Sequence, residues 1–301
     1  MNVAIEAQDL TKNFSGLLAV SRLDLQVPAG SVLGLIGRNG AGKTTLIRLL
    51  MGLLRADGGI ARILGEDLWR ADFRARSRVA YVPQAQQLHA WMTLEELCHY
   101  AGLLYARWDA PYARRLAGRF GLAWGQQIGL MSGGLQRKAA VVLAFAARPE
   151  ALLLDEPAAG LDPIARRELI SEIVDTVADG AGTTILLSTH IISDLERIAD
   201  TVAFMDRGRI VRQGSLEQLQ GRLRRVQVIF AGPMPEGFVV PGAAGARVEG
   251  AVVTAIVDVA SDTQLDAVRR MPGVRVTEFP LGLEDIFIEL MGPQTPEEVP
   301  Q

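Results

Sequence analysis

Between a β-type run at Ser31–Ile36 and a run with helical apolar spacing at Thr45–Met51 lies the octapeptide Gly37-Arg38-Asn39-Gly40-Ala41-Gly42-Lys43-Thr44. It fits the pattern G-x-x-x-x-G-K-[ST] in the strand-to-helix context that this pattern needs. Its glycines let backbone N–H groups close on phosphate oxygens, and the helix N-terminus adds partial positive charge. Lys43 can reach β- and γ-phosphates, and the Thr44 hydroxyl can ligate Mg²⁺. Lysine is scarce elsewhere: positive charge is almost all Arg, and Lys stands only at 12, 43 and 138. Stripped of its flanks, the same octapeptide reads as a glycine-rich turn with a surface lysine.

Strands and helices alternate along most of the chain. Val3–Ala7, Leu23–Val27, Val79–Pro83, Leu152–Leu154 and Thr184–Ser188 read as strands, as do Val202–Met205 and Arg209–Arg212 around the turn Asp206-Arg207-Gly208. Helical spacing fills Asp162–Ala178 and Ile191–Ala199. This alternation implies an α/β fold with a mostly parallel sheet. From Thr93 to Arg148 the apolar residues recur three and four apart, which predicts an all-helical insert. Composition shifts after Leu219: strands at Val226–Phe230, Ala251–Val259 and Val274–Phe279 with helices at Asp262–Arg270 and Leu283–Met291 suggest a small α+β module. Pro293–Gln301 reads as a frayed tail.

Composition narrows the function classes. Of the 301 residues, 49% are hydrophobic and 22% charged, which excludes wholesale disorder. A net charge of −3 leaves no electrostatic footprint for nucleic acid, and the single Cys98 cannot pair within the chain. No run reaches the roughly 18 apolar residues of a membrane span. Glu6 and Asp9 stand where a signal peptide would carry positive charge, so the chain is expected in the cytoplasm.

Two more segments carry chemistry. Leu152-Leu153-Leu154-Asp155-Glu156 is a buried strand ending in two carboxylates, at the end where open α/β sheets place their active residues. Asp155 suits a Mg²⁺ ligand and Glu156 a group that polarises water; an acidic turn capping the next helix is the plainer reading. Met131-Ser132-Gly133-Gly134 opens a helix, as an N-cap and as a second potential anion site.

With these residues in view, the chain resembles the ATP-binding subunits of ABC transporters over about residues 1–216. Gly37–Thr44 matches Walker A, Leu154-Asp155-Glu156 matches Walker B with its adjoining glutamate, and Ser132-Gly133-Gly134 matches the signature motif. Gln84 matches the Q-loop, Ala159-Gly160-Leu161-Asp162 the D-loop, and Ser188-Thr189-His190 the switch histidine. Phe14 sits where the family stacks an aromatic ring on adenine.

The resemblance implies a P-loop NTPase core with an antiparallel β subdomain and a helical insert at about 85–150. An accessory α+β domain at 217–292 and a disordered tail at 293–301 would follow. ATP and Mg²⁺ are the implied cofactors. Phe14, Gly37, Asn39, Gly40, Ala41, Gly42, Lys43, Thr44 and Thr45 would hold the nucleotide; Thr44, Gln84 and Asp155 would hold the metal; Glu156, His190 and Gln84 would act in hydrolysis. Ser132, Gly133 and Gly134 would bind the γ-phosphate of a nucleotide held by a second ATP-binding subunit, with Asp162 crossing that interface. A homodimer around two ATP would drive transport through a separate integral membrane permease, leaving the chain peripheral on the cytoplasmic face of the membrane. Residues 84–110 belong to the region that receives a coupling helix from that permease, or else form a mobile connection.

Leu135 replaces the family's usual Gln after the signature, and Met131 replaces Leu before it, while Glu156 is intact. The ending Leu283–Leu290 resembles export-type members. The competing functional class is a soluble ABC-type ATPase acting on ribosomes or nucleic acid; a small-molecule kinase on the same loop is disfavoured by Ser132-Gly133-Gly134. His89, His99 and Cys98 read as structural, and Trp69, Trp91, Trp108 and Trp124 as packing residues.

Overall fold

In the computed structural model, which describes residues 2–85, 88–180, 182–258 and 265–291, the chain divides into two compact units between Gln213 and Gly214. The first unit opens with two long strands, β1 (Val3–Phe14) and β2 (Leu17–Pro28), followed by β3 (Val32–Ile36), α1 (Lys43–Leu50) and β4 (Gly58–Ile63). A short α2 (Phe73–Arg76) and β5 (Val79–Val82) lead into three helices, α3 (Leu94–Leu104), α4 (Ala110–Arg119) and α5 (Gly133–Ala146). Then come β6 (Ala151–Asp155), α6 (Pro163–Ala178), β7 (Thr184–Thr189), α7 (Ile192–Leu195), β8 (Thr201–Asp206) and β9 (Arg209–Ser215).

Two sheets form from these strands. The larger has the order β5-β6-β7-β3-β8-β9, and β3 pairs in parallel with both β7 and β8. Every residue of β3, β6 and β7 is buried, the signature of parallel strands covered on both faces. The smaller sheet, β2-β1-β4, is antiparallel, with Ile5 opposite both Val27 and Ile63. Leu46, Ile47 and Leu50 of α1 join one core with Ile5, Leu25 and Ile63 of the small sheet and Leu33, Leu153 and Leu186 of the large one. The phosphate-type loop and its helix are therefore wedged where both sheets meet.

The stretch expected to be wholly helical resolves into separate helices because its breaks are chemically marked. Thr93 caps α3 in a reciprocal capping box with Glu96, Asp109 caps α4, and Ser132 caps α5. Two expectations shorten: helix Ile191–Ala199 is regular only over Ile192–Leu195, and Asp262–Arg270 is helical at Asp266–Arg269, its first residues lying outside the described ones. The tail Pro293–Gln301 also lies outside them. Strand β4 was not read from the sequence at all.

The second unit contains α8 (Leu216–Arg222), β10 (Leu223–Phe230), β11 (Ala243–Glu249), β12 (Val252–Asp258), α9 (Asp266–Arg269), β13 (Val274–Pro280) and α10 (Leu283–Met291). Its strands form an antiparallel sheet ordered β11-β12-β10-β13. Val226, Val228 and Phe230 alternate onto one face with Val253, Ala255 and Val257 and pack with Val268 of α9. Arg225 fixes α10 by an ion pair with Asp285 at 2.6 Å. Among the described residues no helix is long and apolar enough to cross a membrane.

Candidate functional site

The loop 37–42 leaves the end of β3 and turns directly into α1, with Gly42 as N-cap at φ +104°. A Cβ there would stand 2.3 Å from the Ala19 carbonyl oxygen, so only glycine fits. Lys43 is 7% exposed and folds back over the loop, donating to the Gly37 carbonyl at 2.7 Å. Its ammonium also lies 3.5 Å from Glu156 Oε1.

Asp155 and Glu156 stand together at the end of β6. Glu156 has φ +51°, a left-handed conformation that costs a residue with a side chain roughly 1–2 kcal/mol. The Glu156 N–H donates to both the carbonyl oxygen and the hydroxyl of Ser188 at 3.1 Å, which pins this conformation. Glu156 Oε2 in turn lies 2.6 Å from His190 Nδ1. Asp155 is fully buried; its Oδ1 accepts from the Ser188 hydroxyl at 2.7 Å, and its Oδ2 has no hydrogen-bond partner among the described residues. Burial, helped by the Asp155 charge, pushes the nearby Tyr81 phenol up to about 12.

Thr44 Oγ1 stands 3.5 Å from Gln84 Oε1. A hydroxyl, an amide oxygen and a carboxylate with one buried oxygen unsatisfied form a set of hard oxygen donors, which fits Mg²⁺.

One cavity of about 520 Å³ gathers most of the expected residues: Phe14, Asn39 to Gly42, Lys43, Thr44, Thr45, Gln84 and Glu156. Gly37 borders it through its bond to Lys43, and Asp155 and His190 through Glu156 and Ser188. Phe14 is 42% exposed, with the Lys12 ammonium 5.4 Å from its ring centre.

Leu17, Leu18, Ala19 and Arg207 also line this cavity and were missed in the sequence. The turn that carries Arg207 reaches the loop because β8 pairs with β3; Gly208 N–H donates to the Ala41 carbonyl, and Ser21 N–H donates to the Gly208 carbonyl, both at 2.9 Å. The Asp206-Arg207-Gly208 turn was visible, but its proximity to residue 41 is set by strand order alone.

Ser132, Gly133, Gly134 and Asp162 do not line the cavity. Ser132 is exposed at the start of α5, where its hydroxyl accepts from Leu135 N–H at 3.4 Å. Asp162 caps α6 by accepting from the N–H groups of Ile164 and Ala165, and Lys138 of α5 lies 3.5 Å away. The Ala165 N–H and the Lys138 charge hold this carboxyl below its ordinary value. Farther along α6, Arg166 grips both carboxylate oxygens of Asp194 at 2.7–3.0 Å, tying α6 to the segment just after His190.

In the helical insert, half-buried Trp108 packs beside Gly102 and half-buried Trp124 under Arg114, in line with the packing reading, whereas Trp91 departs from it. Trp91, Trp108 and Trp124 line an apolar groove of about 990 Å³ with Tyr100 and Leu103. Trp91 is 68% exposed, and Trp69 elsewhere is 46% exposed.

A family model described as ABC transporter matches residues 20–159. The daunorubicin/doxorubicin resistance ATP-binding protein DrrA of Streptomyces peucetius is 38% identical over 73% of this chain and 68% of its own length. The Nod factor export ATP-binding protein I of Ralstonia nicotianae is 31% identical over 96% of this chain and 94% of its own. Among solved structures, an ATP-binding subunit of an ABC transporter superposes with a TM-score of 0.66 at 32% identity, covering 72% of this chain and 92% of that one. A cassette solved as a dimer in a post-hydrolysis state with ADP and Pi superposes at 0.64 with 19% identity, over 70% and 98%, a likeness of fold.

Proposed function

The chain belongs to the ATP-binding proteins of the ABC transporter family, which makes it an ATPase, and from that premise we propose that it powers export through a separate membrane permease. The observation that carries the nucleotide site is the convergence of Phe14, the Lys43 loop, Gln84 and Glu156 on one cavity. Phe14 would stack on the adenine. Backbone N–H groups of residues 39–45 would cradle the phosphates, and Lys43 would exchange its carbonyl and Glu156 partners for phosphate oxygens. Thr44, Gln84 and Asp155 would hold Mg²⁺, which when bound neutralises charge on the β- and γ-phosphate oxygens.

Glu156 would accept a proton from the attacking water as the new oxygen–phosphorus bond forms. The bond to the β–γ bridging oxygen breaks, and ADP leaves with the electron pair. His190, held against Glu156 at 2.6 Å, would orient that carboxylate and contact the γ-phosphate.

Ser132 and Gly134 open a fourteen-residue helix outside the chain's own cavity, so their anion-binding capacity is available to the nucleotide of a second copy. Two chains arranged head to tail would bury two ATP molecules between them, closing when the γ-phosphate is present and opening after hydrolysis. The tryptophan groove is the surface we assign to a permease segment. Export is supported by two relatives, one named for Nod factor export and one for resistance to daunorubicin and doxorubicin. The chain would then sit on the cytoplasmic face of the membrane through its permease.

The test is capture of tagged Glu156→Gln from detergent-solubilised native cells with ATP and Mg²⁺. A multi-span membrane protein in stoichiometric yield is expected. Recovery of ribosomal or nucleic-acid-bound proteins in its place would overturn the transport reading.

A further inference from the structure

Arg137 lies one turn into α5, and its guanidinium reaches out of the helical insert to two other loops. Nη2 donates to the Gln84 backbone carbonyl at 2.7 Å. On another side, a Cβ built on Gly160 would stand 3.2 Å from Arg137 Nη1, and Gly160 itself has φ +75°. That glycine therefore leaves the space the guanidinium takes. The Nε is buried without a partner among the described residues, so the group is held by its grip on Gln84 and by close packing rather than by a saturated network.

The consequence bears on Gln84. Its side-chain Oε1 stands 3.5 Å from Thr44 Oγ1, across the place where metal and water would meet the γ-phosphate. A backbone anchor at the same residue limits how far that side chain can swing. We propose that Arg137 is a positioning residue for ATP hydrolysis, holding the Gln84 backbone so that the Gln84 side chain faces the metal and the attacking water. This rests on the reading of Gln84 as a contact to both. Lysine is a poor substitute, because one ammonium cannot both reach the carbonyl and fill the space beside Gly160.

The experiment is a double-mutant cycle in the full chain, under conditions where the unmodified protein hydrolyses ATP. Arg137→Ala is expected to lower kcat about tenfold, because small misplacements of a reacting group are costly. It should also raise the Mg²⁺ concentration for half-maximal rate, while Mg²⁺-free ATP binding stays within about twofold. Arg137→Lys, which keeps charge and bulk, should fall between the two and guards against a folding defect. In a Gln84→Ala background, removing Arg137 should cost nothing further.

An equal loss with and without the Gln84 side chain would overturn the proposal. So would a loss of kcat that follows melting temperature with the Mg²⁺ dependence unmoved, or an Arg137→Ala enzyme as fast as the unmodified one beside a slow Gln84→Ala. A Gln84→Ala enzyme at full rate would instead remove the reading of Gln84, and the inference with it.

Discussion

His190 Nδ1 stands 2.6 Å from Glu156 Oε2, so the ends of two adjacent parallel strands, β6 and β7, meet through their side chains. The other oxygen of the same carboxylate lies 3.5 Å from the Lys43 ammonium. One carboxylate thus stands between the group suited to phosphate and the group suited to orienting a base.

That arrangement separates binding from chemistry. Glu156→Gln should retain ATP and slow hydrolysis about 100-fold or more, since positioned acid–base groups contribute about 10²–10⁴. Lys43→Ala should instead weaken ATP binding about tenfold or more, the scale of one charge-assisted hydrogen bond. Calorimetric titration of both variants, beside phosphate-release rates, distinguishes the two roles; rapid turnover by Glu156→Gln would remove it as the base.

The tryptophan groove gives a prediction independent of the nucleotide. Trp91→Ala removes a large, exposed aromatic face and should reduce permease capture about tenfold, in line with truncation of an interfacial aromatic anchor. ATP affinity should not change. Quantifying the co-eluting membrane protein against tagged bait checks both parts.

Glu172 is buried on α6, where it accepts from the Tyr112 hydroxyl and from Arg119 Nη1, the latter at 2.8 Å. Burial and the Glu172 carboxylate hold the Tyr112 phenol protonated. These bonds tie α4 of the helical insert to α6 of the core. Glu172→Ala should cost about 3 kcal/mol, the low end for a broken buried pair because Arg119 keeps partial access to water. A melting temperature lower by several degrees is expected from calorimetry.

Alkali should find a weak point at Cys98. Burial, with the Glu95 charge adding, pushes this thiol up from 9.0 to about 12. Between those values the unfolded chain gives up its proton first, so stability falls as pH rises. Denaturant midpoints at about pH 8 and about pH 10.5 should show a decline that Cys98→Ala reduces, by an amount on the order of 1 kcal/mol. At the lower pH the folded thiol should resist alkylation until the protein unfolds.

The nucleotide loop was legible because its chemistry is local: the spacing of glycines, Lys43 and Thr44 within one strand–turn–helix dictates the geometry. The helix starts read at Thr93, Ser132 and Asp162 likewise carry their own caps, while the cap at Asp109 lay inside a run read as continuously helical. Strand β4 was hidden because it opens with two glycines, which have little intrinsic β preference; pairing with β1 makes it a strand. Strand β11 contains Ala243-Ala244-Gly245-Ala246, equally weak locally, and exists through its ladder with β12. The helix after His190 is regular only over Ile192–Leu195, and beyond it the Asp200 carboxylate accepts from Val32 N–H at 2.8 Å. Arg207 and Arg137 were missed for one reason: each reaches a motif far away in the chain, and no local pattern marks such a contact.

The fork between Arg166 and Asp194 joins positions twenty-eight residues apart. A planar guanidinium seated on both carboxylate oxygens resists twisting as well as pulling. Through that side-chain bridge α6, which opens at Asp162, is fastened to α7, which follows His190.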